Sequence, residues 1–467
     1  MRVWWPPVVV GLLAAGPAAA QEEGEGGGDL PQDLGRLVGV TGGFTADQAA
    51  ARARRIDPAV AARAAQVAEA QAERSRTRLG FLPGVRLVAR YTRLSPIDDT
   101  VLTIEGAPVA VTIPGPLEEQ IWVGAEARVP LSDYVLRLGR ASAARTGSLR
   151  AARWMEKAEA RQAAAAARRA YYDWARARLG VRVAEKGLEQ AEAHQRVVAR
   201  RAETSAATRA DLLVADGRVA QAERTLAQAR GAAGVAERRL RIATGVDGEL
   251  AIGEDVLEPL RRRVPRRADR LVARAHATRP ELRALGGAAD ALDAQASLEA
   301  AAYLPRLDLA GSAARANPHP RQFPQEDRTR TVWDVSVVLS FPLESAAVAH
   351  AARQAIAARQ AALAAERRRL ENGIELEVAA ALDRLHRAEA AIRAARRVLD
   401  AAEEVHRVRT RLYRAGSATA SEVDDADAEL TRARFAWIDA HIDLRVAFVD
   451  LDLATGPQAG DRPWGSK

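Results

Sequence analysis

The sequence predicts a mainly α-helical, internally duplicated chain, with four β-strands of membrane-crossing length set among long coiled-coil helices. Three observations carry that expectation. An ordered series of short motifs recurs at nearly constant spacing. The stretches 140–203 and 346–414 contain no proline. Each half also holds a pair of segments in which apolar and polar residues alternate.

The composition agrees. Of the 467 residues, 48% are hydrophobic but only 4% are aromatic, and much of the apolar content is alanine. Such a chain favours close helix-on-helix contact over a bulky core. Cysteine is absent, which excludes a disulfide scaffold, a thiol nucleophile, a Cys-ligated metal and a lipid-modified N-terminal cysteine. The 69 basic and 61 acidic residues leave a net charge of +8. They are interleaved, as in Arg367-Arg368-Arg369 before Glu371. A salt-bridged helix surface explains this better than a nucleic-acid footprint, so no nucleic-acid partner is expected.

The N-terminus reads as an export signal. Arg2 precedes the apolar run Val8-Val9-Val10-Gly11-Leu12-Leu13, and Ala18-Ala19-Ala20 offers a cleavage site, giving a signal peptide over 1–20. The run is too short for a membrane helix, which needs about 20 apolar residues. Residues 21–43 are Gly- and Glu-rich and are expected to be disordered. No later segment has the uninterrupted apolar length of a membrane helix, so any crossing must use strands.

The repeat follows. Asp57-Pro58 recurs as Arg279-Pro280, and Phe81-Leu82-Pro83 as Tyr303-Leu304-Pro305. Val129-Pro130-Leu131 recurs as Phe341-Pro342-Leu343. Asp211-Leu212-Leu213-Val214-Ala215 matches Glu422-Val423-Asp424-Asp425-Ala426, and Ala243-Thr244-Gly245 matches Ala454-Thr455-Gly456. An ordered series at stable offsets means duplication. It sets a first repeat over 44–245, a linker over 246–267, a second repeat over 268–456 and a tail over 457–467.

Each repeat reads as a helix, two strands and two long helices. Thr45 with Gln48 forms a capping box that opens a helix running to Gly80. Val85, Leu87, Ala89 and Tyr91 then alternate with polar neighbours, as do Ile121, Val123, Ala125, Ala127 and Val129. In the second half the alternating segments are Leu307 with Leu309, and Trp333, Val335, Val337, Leu339 and Phe341. Strands of about 9–11 residues fit a tilted bilayer crossing; a soluble sheet packed on one side gives the same pattern. The two proline-free helices would each be on the order of 100 Å long. Ile356, Leu363 and Leu370 are spaced by heptads, as are Leu385, Ile392 and Leu399, with alanine between them. Such thin seams need neighbours on both sides.

Four strands cannot close a barrel, and open sheet edges are not tolerated in hydrocarbon. Strands in a membrane would therefore have to be shared among copies. Two copies reach the smallest known closed barrels of about eight strands, and three leave room for a lumen. Arg86, Arg90, Glu126 and Asp334 would then face water inside it.

On these motifs, with Tyr413-Arg414-Ala415-Gly416 added, the chain resembles the TolC family of outer-membrane efflux channels over residues 44–456. The resemblance implies a TolC-like protomer in a homotrimer, whose shared 12-stranded barrel sits in outer-membrane lipid above a periplasmic helical tunnel. It implies export of small molecules or proteins, as in efflux or type I secretion. The partners would be a periplasmic adaptor (membrane fusion) protein and an inner-membrane efflux or ABC pump. It places Glu422 and Asp425 at the periplasmic pore entrance, with Asp424 as an added carboxylate, and such a ring attracts cations. It makes Tyr413 and Asp211 a tip latch. The usual latch arginine is replaced by Ala418, leaving Arg209 or Arg414 to substitute. The adaptor-docking turns would include Ser205, Ala206, Gly416 and Ser417, without the usual Val-Gly-Leu-Arg signature.

The competing reading is a periplasmic coiled-coil structural or adaptor protein without a pore. Strand pairs inside both helical runs disfavour it. An enzyme is not expected: the seven histidines form no H-x-x-x-H pair, and no nucleophile elbow or phosphate loop is present. No cofactor or metal is expected.

Overall fold

The computed structural model describes residues 36–102, 111–204, 207–258, 260, 262–341 and 343–456. In the first repeat α1 (Ala46–Ile56) and α2 (Pro58–Leu79) lead into β1 (Gly84–Arg93). A small hairpin, β2 (Thr100–Leu102) and β3 (Val111–Ile113), precedes β4 (Glu119–Val129). Then come α3 (Leu131–Leu136), α4 (Leu138–Glu203) and α5 (Arg209–Thr244). The second repeat runs α6 (Ala268–Thr278), α7 (Pro280–Ala300), β5 (Arg306–Asn317), β6 (Arg330–Ser340), α8 (Leu343–Arg414) and α9 (Ala420–Thr455).

The expected single helix from Thr45 to Gly80 is two helices. The capping box at Thr45 is present, but Pro58 cannot donate to the turn before it. Asp57 turns extended (φ −60°, ψ 125°) and its carboxylate caps the new helix at Ala59 N. Arg279 before Pro280 repeats the break. β5 extends to Asn317, well past Leu309, and the β2–β3 hairpin has no counterpart in the expected plan.

The expected disorder over 21–43 does not extend through 36–43. Val38 is buried in the core, Val40 N donates to Ile252 O at 3.0 Å, and Phe44 bridges Ile252. Val38, with Leu37 and Phe44 packed against the same core, buries apolar surface here, while Val40 is exposed and holds the linker through its backbone. The signal peptide and the C-terminal tail lie outside the described residues.

The long helices stand in a row: α5 on α4, α4 on α9, and α9 on α8. A core of Tyr171, Tyr172 and Trp174 on α4 joins Leu240, Ile252, Ile438, Ile442 and Val449 across this row. A second core packs Ile374, Val378 and Leu385 of α8 against Phe448 and Leu451 of α9. The heptad residues Ile356, Leu385 and Leu399 are buried, as their spacing requires. Within the linker, Glu254 accepts from Ala46 N at the start of α1 (2.6 Å) and from the Tyr172 hydroxyl (3.1 Å). Burial raises the Glu254 pKa against the lowering effect of those bonds.

Candidate functional site

The first candidate surface is the sheet. Its order is β1-β4-β5-β6, every pair antiparallel, so β1 and β6 are edges with free ladders. Direct pairing puts residues on one face. One row runs Arg86, Glu126, Ser312, Asp334, and another runs Arg90, Trp122, Ala316, Arg330. The four expected lumen residues therefore share a face. Arg86 meets Glu126 at 2.5 Å, Arg128 pairs with Asp308, and Ser312 donates to Asp334 at 2.5 Å. Between these rows β4 and β5 come close: a Cβ at Gly124 would lie 2.4 Å from Ala313 O. Only glycine fits there.

The opposite face is open and mostly apolar, with Arg315 of β5 and the Arg93–Glu119 pair at the end of β1 and β4 as its charged residues. Val85, Leu87, Tyr91, Ile121, Val123, Trp333, Val335 and Leu339 are exposed, Leu87 at 82%. The rows from Leu307 to Asn317, which pairs with Ile121, climb about 34 Å along the strand at roughly 3.4 Å per residue. Tilted by about 40°, that length covers about 26 Å of depth, close to the apolar band of outer-membrane barrels. Among the described residues no helix is long and apolar enough to cross a membrane.

The second candidate surface is the far end of the long helices. α9 begins with a capping box in which Thr419 N donates to Glu422 Oε2 (2.8 Å) and Glu422 N donates to the Thr419 hydroxyl (3.3 Å). Arg409 of α8 holds the other carboxylate oxygen at 2.5 Å. The bonds from Thr419, then Arg409, lower the Glu422 pKa. Asp425 is exposed and paired with Arg218 of α5 at 2.8 Å.

Asp424 departs from the expected ring. It is 4% exposed, turned between His194 Nε2 (3.7 Å) and Arg218 Nε (3.9 Å). Burial raises its pKa, against the opposing charges of His194 and Arg218. One helical step of about 100° separates it from Asp425 and sends it into the helix row instead of outward.

The two latch residues have separate local roles. Tyr413 is buried with Val198, Ala215 and Val423, its ring beneath the Arg201 guanidinium (4.3 Å) and near His194 (5.2 Å). Asp211 caps α5: it accepts from Thr208 N (2.8 Å) and from the Thr208 hydroxyl (2.7 Å), and these bonds lower its pKa. The arginine at Tyr413 is Arg201, which also donates to Arg414 O at 3.0 Å. Sequence reasoning missed Arg201, Arg218 and Arg409, which lie on other helices or a turn away. Gly416 takes φ +78° to end α8, and Ser417 N returns to Leu412 O at 2.9 Å. Ser205 and Ala206 lie outside the described residues. Among the described residues no cluster of three or more potential ligands could hold a metal.

Several solved structures share this architecture. The Campylobacter jejuni CmeC outer membrane channel superposes with a TM-score of 0.73 at 12% identity, covering 97% of this chain and 94% of that one. The open state of the Neisseria gonorrhoeae MtrE outer membrane channel gives 0.71 at 18%, covering 88% of each. The Vibrio cholerae outer membrane protein VceC gives 0.69 at 16%, covering 88% of this chain and 96% of that one. No curated protein matches by sequence. The outer membrane efflux protein family matches residues 49–246 and 271–457, one segment on each repeat. The chain belongs to the outer membrane efflux protein family: a TolC-like channel protein of the outer membrane that extends into the periplasm.

Proposed function

We propose that three copies of this chain pool their sheets into one 12-stranded barrel and their helix rows into a periplasmic tunnel. The assembly exports solutes or proteins delivered by an inner-membrane efflux or ABC pump through a periplasmic adaptor. The observation that carries this reading is a sheet with two unpaired edges, one mostly apolar face and one charged face. In hydrocarbon every backbone N–H and C=O needs a partner, so β1 of one copy must meet β6 of the next. The helix row ends the same way. α5 and α8 stand at its two ends, with Leu213, Val214, Val235 and Ile242 exposed on the first and Leu376, Val398, Val405 and Val408 on the second.

Within this reading Glu422 and Asp425 flank the tip opening, and Tyr413 with Arg201 and Asp211 with Thr208 stiffen its closed form. The Gly416-Ser417 turn, with Ser205 and Ala206, forms the adaptor-docking end.

Two measurements test it. Purified in detergent, the protein should have the mass of a trimer, and in planar bilayers it should conduct. A stable water-soluble monomer rejects the barrel.

A further inference from the structure

The charged face of the sheet carries unbalanced charge. The register assigns it five arginines: Arg86, Arg90, Arg128, Arg306 and Arg330. It assigns three carboxylates, and each is engaged: Glu126 by Arg86, Asp308 by Arg128, and Asp334 by Ser312 and, at 3.4 Å, by Arg321 from the β5–β6 loop. That loop also sends Glu326 to Arg330 at 2.9 Å, so its two contributions cancel. Among the described residues no carboxylate pairs with Arg90 or Arg306.

We propose that the bore prefers anions, with Arg90 and Arg306 setting that preference. The favoured cargo is then solutes bearing carboxylate, phosphate or sulfonate groups. The inference rests on the barrel proposed above. Pairing across the seam between copies changes which guanidinium meets which carboxylate, but it does not change the surplus of two positive charges per copy. A 12-stranded barrel with strands about 4.8 Å apart and tilted by about 40° has a backbone radius of about 12 Å. An arginine reaches roughly half of that, so its charge lies within about one Debye length of the axis at physiological salt. The tip does not cancel the effect, since Glu422 and Asp425 are already matched by Arg409 and Arg218.

The test is the reversal potential of the full-length protein in planar bilayers under a KCl gradient near 0.1 M. Wild type should pass chloride in preference to potassium, and the preference should collapse near 1 M, where screening shortens to about 3 Å. The double variant Arg90→Gln with Arg306→Gln should lower the chloride-to-potassium permeability ratio about two-fold or more. Arg90→Lys should retain the ratio, and Arg93→Gln, on the other face, should leave it unmoved. A conducting wild type that prefers potassium overturns the inference, as does a conducting double variant with an unchanged ratio. A wild type that never conducts overturns the channel reading itself.

Discussion

Helices α5 and α9 are repeats of one another, each 36 residues long, lying 211 residues apart and opening on the same threonine capping box. Yet α9 buries nineteen residues and α5 only four. The difference lies in place, not in local propensity: α9 sits between α8 and α4, whereas α5 ends the row. Matching positions show it. Phe448 is 1% exposed and faces a core, while its counterpart Glu237 is half-buried and pairs with Arg241. His441 is buried, and its counterpart Arg230 is exposed beside Glu185. A helix that keeps apolar residues such as Leu213 and Ile242 exposed, at 63% and 77%, lacks a neighbour within one copy.

The comparison breaks hardest at Phe448. Phe448→Ala should cost about 3–5 kcal/mol, as for other fully buried aromatics. Glu237→Ala should cost about 1 kcal/mol or less, the worth of a half-exposed i,i+4 pair. Melting temperatures of the two variants check this. Equal losses would mean that α5 is as central as α9.

The next effect is pH-dependent. Burial, then repulsion from Arg445, lowers His441 from 6.5 to about 4. A base with a depressed folded pKa is penalised for charging, so its contribution is complete above about pH 6.5 and is lost as pH falls toward 4. The span corresponds to up to about 3 kcal/mol. Melting temperature followed from pH 7.5 to 5 should fall in wild type and fall less in His441→Gln. Asp424 works in the opposite sense: its raised pKa means that acid relieves the cost of its buried charge. Arg230→Gln on α5 should leave the profile unchanged.

The fold was largely legible in the sequence because its signals are local and periodic. Prolines mark helix and strand ends, and strand alternation assigns faces, so Arg86, Arg90, Glu126 and Asp334 could be grouped before any pairing was known. The tip was less legible. In Glu422-Val423-Asp424-Asp425 every residue points in a different direction around the helix, and only the neighbours decide which acid is buried. His194 and Arg218, which enclose Asp424, lie more than 200 residues earlier. Arg409, across the helical turn from Glu422, could have been found by asking which arginine faces the start of α9.

A smaller effect tests the exposed stripe on α5. Leu213→Ser with Val214→Ser should leave the protomer folded but weaken the trimer by about 1–2 kcal/mol per copy. The check is a lower temperature for trimer dissociation in mild detergent. The counterparts of these residues on α9 are Asp424 and Asp425, so the repeat has an apolar pair at the edge where the central helix has two acids. Unchanged dissociation would place some other surface at the seam.

The smallest effect concerns two acids at the start of α9, Glu422 and Asp425. Glu422→Gln with Asp425→Asn removes two negative charges per copy, leaving Arg409 without its carboxylate and Arg218 with only the buried Asp424 at 3.9 Å. If the tip lines the conducting path, the reversal potential at low salt should move further toward anions. The shift should be smaller than that of the barrel arginines, because exposed pairs are well screened. A shift toward cations would contradict the sign of the freed guanidinium groups. No shift in a variant that still conducts would remove Glu422 and Asp425 from the path. In that case their capping and pairing would stiffen the end of α9, just as Asp211 stiffens the start of α5.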